Sequence, residues 1–169
     1  MGSIRCFVAA ELSQEVARRL EKVQAEIRGT GANASFPHAN QMHLTLAFYA
    51  SLRESEVEEK IVLLRQALES SRQVSRQFAM RVQGVGFLPN EKFVKVVYTG
   101  IESKELIELQ AHLARELDYK EDRKFFPHAT LARIKDASQL SKLRELGVKF
   151  EKTEFGECTV EKVFFKKST

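Results

Sequence analysis

Alternating apolar and polar positions predict short strands separated by amphipathic helices. Ile4 to Leu12 is mostly apolar and short, which predicts a strand. Ser13 then predicts the N-cap of a helix, and Gly29 and Gly31 predict its end. The apolar stripe of this helix, with residues three and four positions apart, consists of Val16, Leu20, Val23 and Ile27.

The pattern continues through the first half of the chain. Met42 to Tyr49 alternates as a strand, and Ser55 with Glu58 predicts a capping box before a second amphipathic helix. Phe78 to Leu88 predicts a further strand, closed by the turn-forming dipeptide Pro89-Asn90. The apolar positions of the second helix are Val57, Ile61, Leu64 and Leu68.

The second half repeats this order of elements. Its predicted elements are a strand over Phe93–Ile101, a helix capped by Ser103 that carries Leu106, Leu109, Leu113 and Leu117, a charged loop over 120–124, a strand over His128–Ile134, a short helix around Ser138–Leu146 ended by Gly147, and a last strand over Cys158–Phe165. Matching elements are offset by 93 − 4 = 89, 103 − 13 = 90, 128 − 43 = 85 and 138 − 55 = 83 residues, which indicates an internal duplication.

The duplication predicts an α+β fold with two lobes in a single domain over 1–169. The lobes are expected to be formed mainly by about 4–90 and 91–166, each with the order strand, helix, strand, helix, strand. Two helices cannot cover both faces of a three-stranded sheet. We therefore expect two antiparallel sheets that face each other across a central cleft, with the helices on the outside.

Composition places the chain among globular proteins without a membrane segment. It is 43% hydrophobic and 30% charged, and it has neither an apolar run near the ~20 residues of a membrane helix nor a signal-peptide pattern. We expect a cytoplasmic monomer. Cys6 and Cys158 lie in predicted strands, which favours small buried side chains over a disulfide or metal site. The net charge of +4 permits a polyanionic partner but does not establish one.

One short motif occurs once in each half and carries the candidate chemistry. His43-Leu44-Thr45-Leu46 and His128-Ala129-Thr130-Leu131 lie at matching places. Because strand side chains alternate, each histidine shares a face with its threonine. A single His-x-Thr on a strand is usually structural, but two matched copies indicate a catalytic pair that meets in the cleft. His112, on a helix, and His38, in a loop that could line the cleft mouth, have no matching copy.

Two histidines that face one phosphate can carry out opposite proton transfers, because the imidazole pKa lies near neutral pH. On a 2′,3′-cyclic phosphate, one would deprotonate the attacking water and the other would protonate the departing ribose oxygen. Each transfer typically contributes about 10²–10⁴-fold in rate. Thr45 and Thr130 would donate hydrogen bonds to the non-bridging oxygens. No Asp/Glu cluster accompanies the tetrads in the sequence, so we expect no metal and no other cofactor.

With these tetrads, the sequence resembles the two-histidine (2H) phosphoesterase superfamily and, within it, the RNA 2′,3′-cyclic phosphodiesterase family once called LigT-like 2′-5′ RNA ligases. The resemblance implies that His43 is the proton donor to the leaving oxygen and His128 is the base that activates water. The implied product is an RNA 2′-phosphate, and ATP-independent 2′-5′ ligation, the reverse of ester cleavage, is left open. Besides the tetrads, the resemblance rests on Arg5–Ala9, Gly84–Asn90, Val94–Gly100 and Phe126–Arg133.

Two further residues are candidates for substrate contact. Arg133 matches an arginine that lies close to the phosphate in this family, whereas strict alternation places it on the face opposite His128. A bend or a long reach would bring it to the phosphate, and a surface guanidinium is the alternative. Phe7 shares a strand face with Arg5, where its ring could stack on a base or simply pack in the core.

The sequence departs from the family pattern at places that leave the catalytic groups intact. Phe36 replaces a common tryptophan, 47–50 reads Ala-Phe-Tyr-Ala instead of Lys-Phe-Leu-Gly, and Ala129 replaces a larger residue. Family members generally continue beyond 167–169 into a turn and one more strand. A naturally short protein and a truncated sequence both fit this difference, which affects one sheet edge and part of the cleft wall.

Other function classes have less support in the sequence. A non-catalytic module that binds RNA ends or nucleotides is the main alternative, but such a protein could lose a histidine, and this chain has both. An ATP-dependent ligase would be expected to contain a G-x-x-x-x-G-K-[ST] phosphate loop, which the sequence lacks. The expected partner is RNA with a 2′,3′-cyclic phosphate end or a small cyclic nucleotide; whether it is a tRNA half or another end is left open.

Overall fold

Antiparallel strands and flanking helices make up the fold in a computed structural model that describes residues 2–121 and 123–168. Asp122, in the predicted charged loop, lies outside the described residues, as do Met1 and Thr169. The described residues form eight strands and five α-helices: β1 Ile4–Glu11, α1 Gln14–Gly29, β2 Ala34–Ser35, β3 His43–Leu52, α2 Glu54–Glu69, α3 Arg72–Arg76, β4 Phe78–Asn90, β5 Phe93–Glu102, α4 Lys104–Glu116, β6 His128–Ile134, α5 Leu140–Phe150, β7 Glu154–Val160 and β8 Phe164–Lys167.

The predicted N-caps of α1 and α4 are confirmed. Ser13 Oγ accepts a hydrogen bond from the Val16 amide at 3.3 Å, and Ser103 Oγ accepts one from the Leu106 amide at 3.2 Å. Such caps typically contribute about 1 kcal/mol, because they satisfy amides that have no partner within the helix. The predicted stripe of α1 is buried in the core, at Val16, Leu20, Val23 and Ile27.

Two helix boundaries differ from the prediction. The capping box predicted at Ser55 and Glu58 is wrong, because α2 begins two residues earlier, where the Glu56 carboxylate accepts a hydrogen bond from the backbone N–H of Arg53 at 2.6 Å. α5 continues through Gly147 instead of ending there. A Cβ at Gly147 would lie 2.6 Å from a ring carbon of Phe87. This glycine therefore permits close packing of helix on strand.

The strands form one curled sheet in the order β7-β4-β5-β6-β3-β1-β8, with β2 pairing to β6. Adjacent strands run antiparallel throughout the described pairings. The two predicted sheets are the two halves of this sheet, which are joined through one residue pair, Leu44 with Ala129. The predicted α+β architecture is confirmed, with the difference that the halves are continuous at β3 and β6.

Strand pairing crosses the lobe boundary predicted at about residue 90. β4 pairs with β5 and β7, and β8 pairs with β1, so each half of the sheet takes a strand from the other half of the sequence. The predicted last strand, Cys158–Phe165, is also divided between β7 and β8. Asn90 Oδ1 accepts hydrogen bonds from the amides of Lys92 and Phe93, which closes a tight β4–β5 turn. Strands joined by such a short turn pair with each other.

The cysteines and one of the unmatched histidines lie where the sequence predicts them. Cys6 and Cys158 are both buried and free. His112 lies on α4 at the edge of the core, where its Nε2 lies 2.8 Å from the carbonyl oxygen of Ala67. Among the described residues, no helix combines the length and apolar character needed to cross a membrane.

Candidate active site

A pocket of about 240 Å³ lies at the joint between the two halves of the sheet, where β3 and β6 meet. It brings both tetrads together, as the sequence predicts, and it also includes Arg133. Phe7, the remaining candidate, is not among the residues that line it. The lining residues are Ser35, Phe36, Pro37, Gln41, Met42, His43, Thr45, His128, Thr130 and Arg133.

The antiparallel pairing of β3 with β6 sets the relative positions of the two tetrads. Leu44 pairs with Ala129, and both are fully buried beneath the pocket. Residues that flank such a pair lie across from each other on the opposite face of the sheet. Each histidine therefore lies across from the threonine of the other tetrad, and the four polar side chains share one face.

Both imidazoles are oriented by the same backbone hydrogen bond. His43 Nδ1 donates to the carbonyl oxygen of Gln41 at 2.8 Å, and His128 Nδ1 donates to the carbonyl oxygen of Phe126 at 2.7 Å. Because a carbonyl oxygen only accepts, each Nδ1 carries the proton and each Nε2 is the nitrogen available for proton transfer. These backbone partners were not predicted from the sequence, where the one feature they share is a position two residues before a tetrad histidine.

A β-bulge in each tetrad strand determines which later side chains reach the pocket. The register of β6 against β5 skips Leu131, and the register of β3 against β1 skips Leu46, the fourth residue of each tetrad. An extra residue in a strand reverses the alternation of side chains beyond it. Arg133 therefore lies on the same face as His128. Strict alternation had predicted the opposite face for Arg133. The bulge at Leu131 is the bend that brings this side chain to the pocket.

Aromatic rings contact both histidines. The Phe7 ring stacks on His43, with centroids 4.7 Å apart and an interplanar angle of 21°. His128 lies 5.6 Å from the ring centroids of both Phe126 and Tyr98. Such contacts restrict rotation of the imidazole and stabilise the fold by more than the burial of the rings alone. Phe7 thus lies on the cleft face beside the pocket, where it supports an imidazole.

The electrostatic environment of His43 favours its neutral form. Burial is the largest cause that lowers the pKa of His43 below its ordinary value, and the positive charges of Lys166 and Arg133 act in the same direction. The Gln41 carbonyl and the Glu11 carboxylate oppose this shift. Glu11 also forms an ion pair with Lys166. An anion bound in the pocket would offset the nearby positive charges and favour protonation of His43.

We expect sulfate, which stays a dianion between pH 5 and 8, to raise the pKa of His43 when it occupies the pocket. The negative charge stabilises the imidazolium, so the titration of His43 moves to higher pH than in sulfate-free protein. NMR titration of the imidazole resonances with and without sulfate measures the shift. The exposed His38, which does not line the pocket, is the internal control. A His43 titration that sulfate leaves unchanged would contradict an anion site at its Nε2.

The segment before β3 forms the rest of the pocket wall. β2 pairs with β6, with Ser35 opposite Arg133, and the pocket wall continues through Phe36 and Pro37 to Gln41 and Met42. Phe36, which replaces the tryptophan common in the family, lines the pocket. The guanidinium carbon of Arg28 lies 4.2 Å from the centroid of its ring. This cation–π contact helps to fix the position of the Phe36 ring. Most residues of this wall were not predicted as site residues, because they lie in a loop whose sequence is not repeated in the second half of the chain.

Metal-binding residue types do not cluster in the described part of the chain. Over residues 2–121 and 123–168, no group of three or more His, Cys, Asp or Glu side chains could hold a metal ion. The pocket's own chemical groups are imidazoles, hydroxyls and a guanidinium, which suit an anionic ligand.

Comparison with known proteins identifies the family of this chain. Residues 6–168 match the family described as "AKAP7 2′5′ RNA ligase-like domain". The chain belongs to this family. This assignment confirms the predicted resemblance to 2H phosphoesterases.

Similar proteins match this chain over most of its length. The RNA 2′,3′-cyclic phosphodiesterase of Methanothermobacter thermautotrophicus is 26% identical, and the alignment covers 98% of this chain and 90% of the relative. The protein of the same name from Aquifex aeolicus is 29% identical, with 100% and 90% covered. The crystal structure of TT0787 from Thermus thermophilus superposes with a TM-score of 0.75 at 26% identity, covering 95% of this chain and 86% of TT0787. Escherichia coli LigT complexed with 3′-AMP has the same fold, with a TM-score of 0.75 at 20% identity and coverage of 99% and 89%.

Proposed function

We propose that this protein hydrolyses the 2′,3′-cyclic phosphate at RNA ends to a 2′-phosphate, by metal-independent acid–base catalysis with His43 and His128. The observation that carries the proposal is the matched orientation of the two imidazoles. In both imidazoles, Nδ1 donates a hydrogen bond to a backbone carbonyl oxygen. Nε2 is therefore the nitrogen available for proton transfer in the pocket that both rings line. The relatives named RNA 2′,3′-cyclic phosphodiesterase support the substrate class.

The two histidines would exchange protons with opposite sides of one phosphorus. His128 Nε2 takes a proton from water as the water oxygen bonds to phosphorus, and the bond from phosphorus to O3′ breaks. His43 Nε2 gives its proton to O3′, so the ribose keeps the phosphate on O2′. The step leaves His128 protonated and His43 neutral, and proton exchange with solvent restores both. Each of these two transfers supplies part of the barrier reduction.

Hydroxyl and guanidinium donors would stabilise the charge that builds on the phosphate. Thr45 and Thr130 lie across from the histidines in the same pocket, so their hydroxyls are positioned for the non-bridging oxygens. Arg133 adds a fixed positive charge, which makes its hydrogen bond to an oxyanion stronger than a neutral one. The cytoplasmic location and monomeric state expected from the sequence belong to the same proposal.

We expect turnover of an RNA oligonucleotide with a 2′,3′-cyclic phosphate end to continue unchanged in excess EDTA, because the proposed proton transfers need only imidazoles. Chromatography against authentic standards should identify the product as a 2′-phosphate. The same oligonucleotide with a linear 3′-phosphate serves as the control that should not react. Loss of activity in EDTA that Mg²⁺ or Zn²⁺ restores, or a 3′-phosphate product, would contradict the proposal. Tight binding without turnover would indicate the binding-module alternative.

A further inference from the structure

A glutamine interrupts the apolar stripe of α1 and that of α4 at matching positions. Residues 20–27 read LEKVQAEI and residues 106–113 read LIELQAHL, so Gln24 corresponds to Gln110. Their offset, 110 − 24 = 86, is close to the offset of 85 between the tetrads. Both side chains are buried, with 2% and 9% of their surface exposed. A glutamine is seldom buried in this way unless its amide is hydrogen-bonded, so each of the two calls for a partner.

Each glutamine donates a hydrogen bond to the bulge in the tetrad strand of the other half. Gln24 Nε2 donates to the carbonyl oxygen of Leu131 at 3.0 Å, and Gln110 Nε2 donates to that of Leu46 at 3.3 Å. These two leucines are the residues that the strand registers skip. A bulge leaves its extra residue out of the ladder, and a buried carbonyl group without a donor is costly. The two amides therefore stabilise the bulged form of each strand.

The amide of Gln24 also reaches the pocket wall. Its Nε2 donates a second hydrogen bond to the carbonyl oxygen of Pro37 at 2.9 Å, and Pro37 lines the pocket. An amide nitrogen has two hydrogens, so one side chain can serve both carbonyl groups. The bulge that Gln24 contacts is followed by Arg133, whereas Phe48 has the corresponding place after the other bulge. Gln24 thus joins the strand that carries the arginine to the wall of the same pocket.

We propose that Gln24 is a positioning residue that keeps the guanidinium of Arg133 in the pocket, by fixing the bulge at Leu131 against Pro37. This inference rests on the proposed function, in which Arg133 donates to the phosphate. A strand that loses its bulge presents the side chains beyond it on the opposite face, which would turn Arg133 away. Gln24 is not among the residues that line the pocket, so its effect passes through the arginine.

The test is a double-mutant cycle between Gln24 and Arg133. Gln24→Met keeps nearly the same shape and removes both donors, and Gln24→Asn keeps an amide that is too short to reach both carbonyl groups. Gln110→Met is the matched control, because it removes the same kind of hydrogen bond from the bulge that no arginine follows. Each variant is made with arginine and with alanine at position 133. The measurements are kcat and KM for 2′,3′-cyclic AMP, the Kd of adenosine 2′-phosphate by calorimetry, and a melting curve.

We expect Gln24→Met to lower kcat by about 10- to 10²-fold while Arg133 is present, the loss typical of a misplaced catalytic group. With alanine at position 133, the same change should lower kcat by less than about threefold, because its effect passes through the missing arginine. KM should change less than kcat, and the affinity for adenosine 2′-phosphate should fall only when Arg133 is present. Gln110→Met should change kcat by the same factor in both backgrounds. If Gln24→Met does not fold, Gln24→Asn decides by the same comparison.

A loss in the Gln24 variant that is equally large with and without Arg133 would overturn the inference, since the glutamine would then support the fold as a whole. Wild-type kcat and affinity in a folded Gln24 variant would overturn it as well. If the wild-type protein opens 2′,3′-cyclic AMP and either of these results is found, the inference fails and the proposed function stands. If the wild-type protein does not open 2′,3′-cyclic AMP, the proposed function fails, and the binding cycle with adenosine 2′-phosphate decides whether Gln24 acts through Arg133.

Discussion

Replacing either His43 or His128 with alanine is expected to lower kcat/KM for a 2′,3′-cyclic phosphate by about 10²–10⁴-fold. Each change removes one of the two proton transfers, and no other histidine lines the pocket within the described residues. Neither side chain belongs to the buried core, so thermal unfolding should remain cooperative and close to that of the wild type. Steady-state kinetics together with a melting curve check both statements.

Two comparisons strengthen the histidine experiment. His38→Ala removes an exposed imidazole outside the pocket and should leave the rate unchanged. The double variant should lose less than the product of the two single losses, because residues that act together in one step are not additive. Full turnover by either single variant would contradict the acid–base pair.

Arg133→Ala is expected to reduce turnover by about 10²-fold, the cost typical of removing one donor to a developing oxyanion. The loss should appear mainly in kcat, because charge on the phosphate is greatest in the transition state. Arg133→Lys should recover part of the rate, since lysine keeps the charge but not the planar pair of donors. Measurement of kcat and KM for the three proteins separates these effects.

A surface arginine provides the control for this substitution. Arg65, exposed on α2, can be changed to alanine without loss of a pocket residue, so its variant should match the wild type. An Arg133→Ala variant with wild-type kcat would mean that the guanidinium plays no part in the reaction. Arg133 would then serve the pocket wall alone.

The repeated tetrads could be predicted from the sequence because their chemistry lies in side chains at fixed local spacing. Each histidine and its threonine are two residues apart on one strand, and the duplication implies that they meet. Ser13 and Ser103 were found for the same reason, since a helix cap is determined by neighbours three residues away.

The face of Arg133 could not be obtained from alternation alone. The bulge at Leu131 depends on the pairing of β6 with β5, which involves residues far apart in the chain. The sequence does contain one indication of the bulges. Each strand has two apolar residues in succession, Leu131-Ala132 and Leu46-Ala47, and all four are buried. Read as bulges, these dipeptides would have predicted the observed face.

Strand pairing and the backbone hydrogen bonds of the site could not be predicted from the sequence. Nothing in Phe78–Asn90 indicates that it pairs with β7 as well as β5, because pairing depends on the final topology and not on local pattern. The carbonyl groups of Gln41 and Phe126, which orient the imidazoles, are common to every residue type. The pairing of β8 with β1, which brings Lys166 beside Glu11, is likewise a long-range contact.

A crystal structure with adenosine 2′-phosphate bound would test most directly whether both histidines serve one phosphate. We expect Nε2 of His43 and Nε2 of His128 each to lie within about 3.2 Å of a different oxygen on the same phosphorus. Thr45, Thr130 and Arg133 should donate to the remaining oxygens. A phosphate bound outside this pocket, or one that contacts a single imidazole while the other points away, would contradict it.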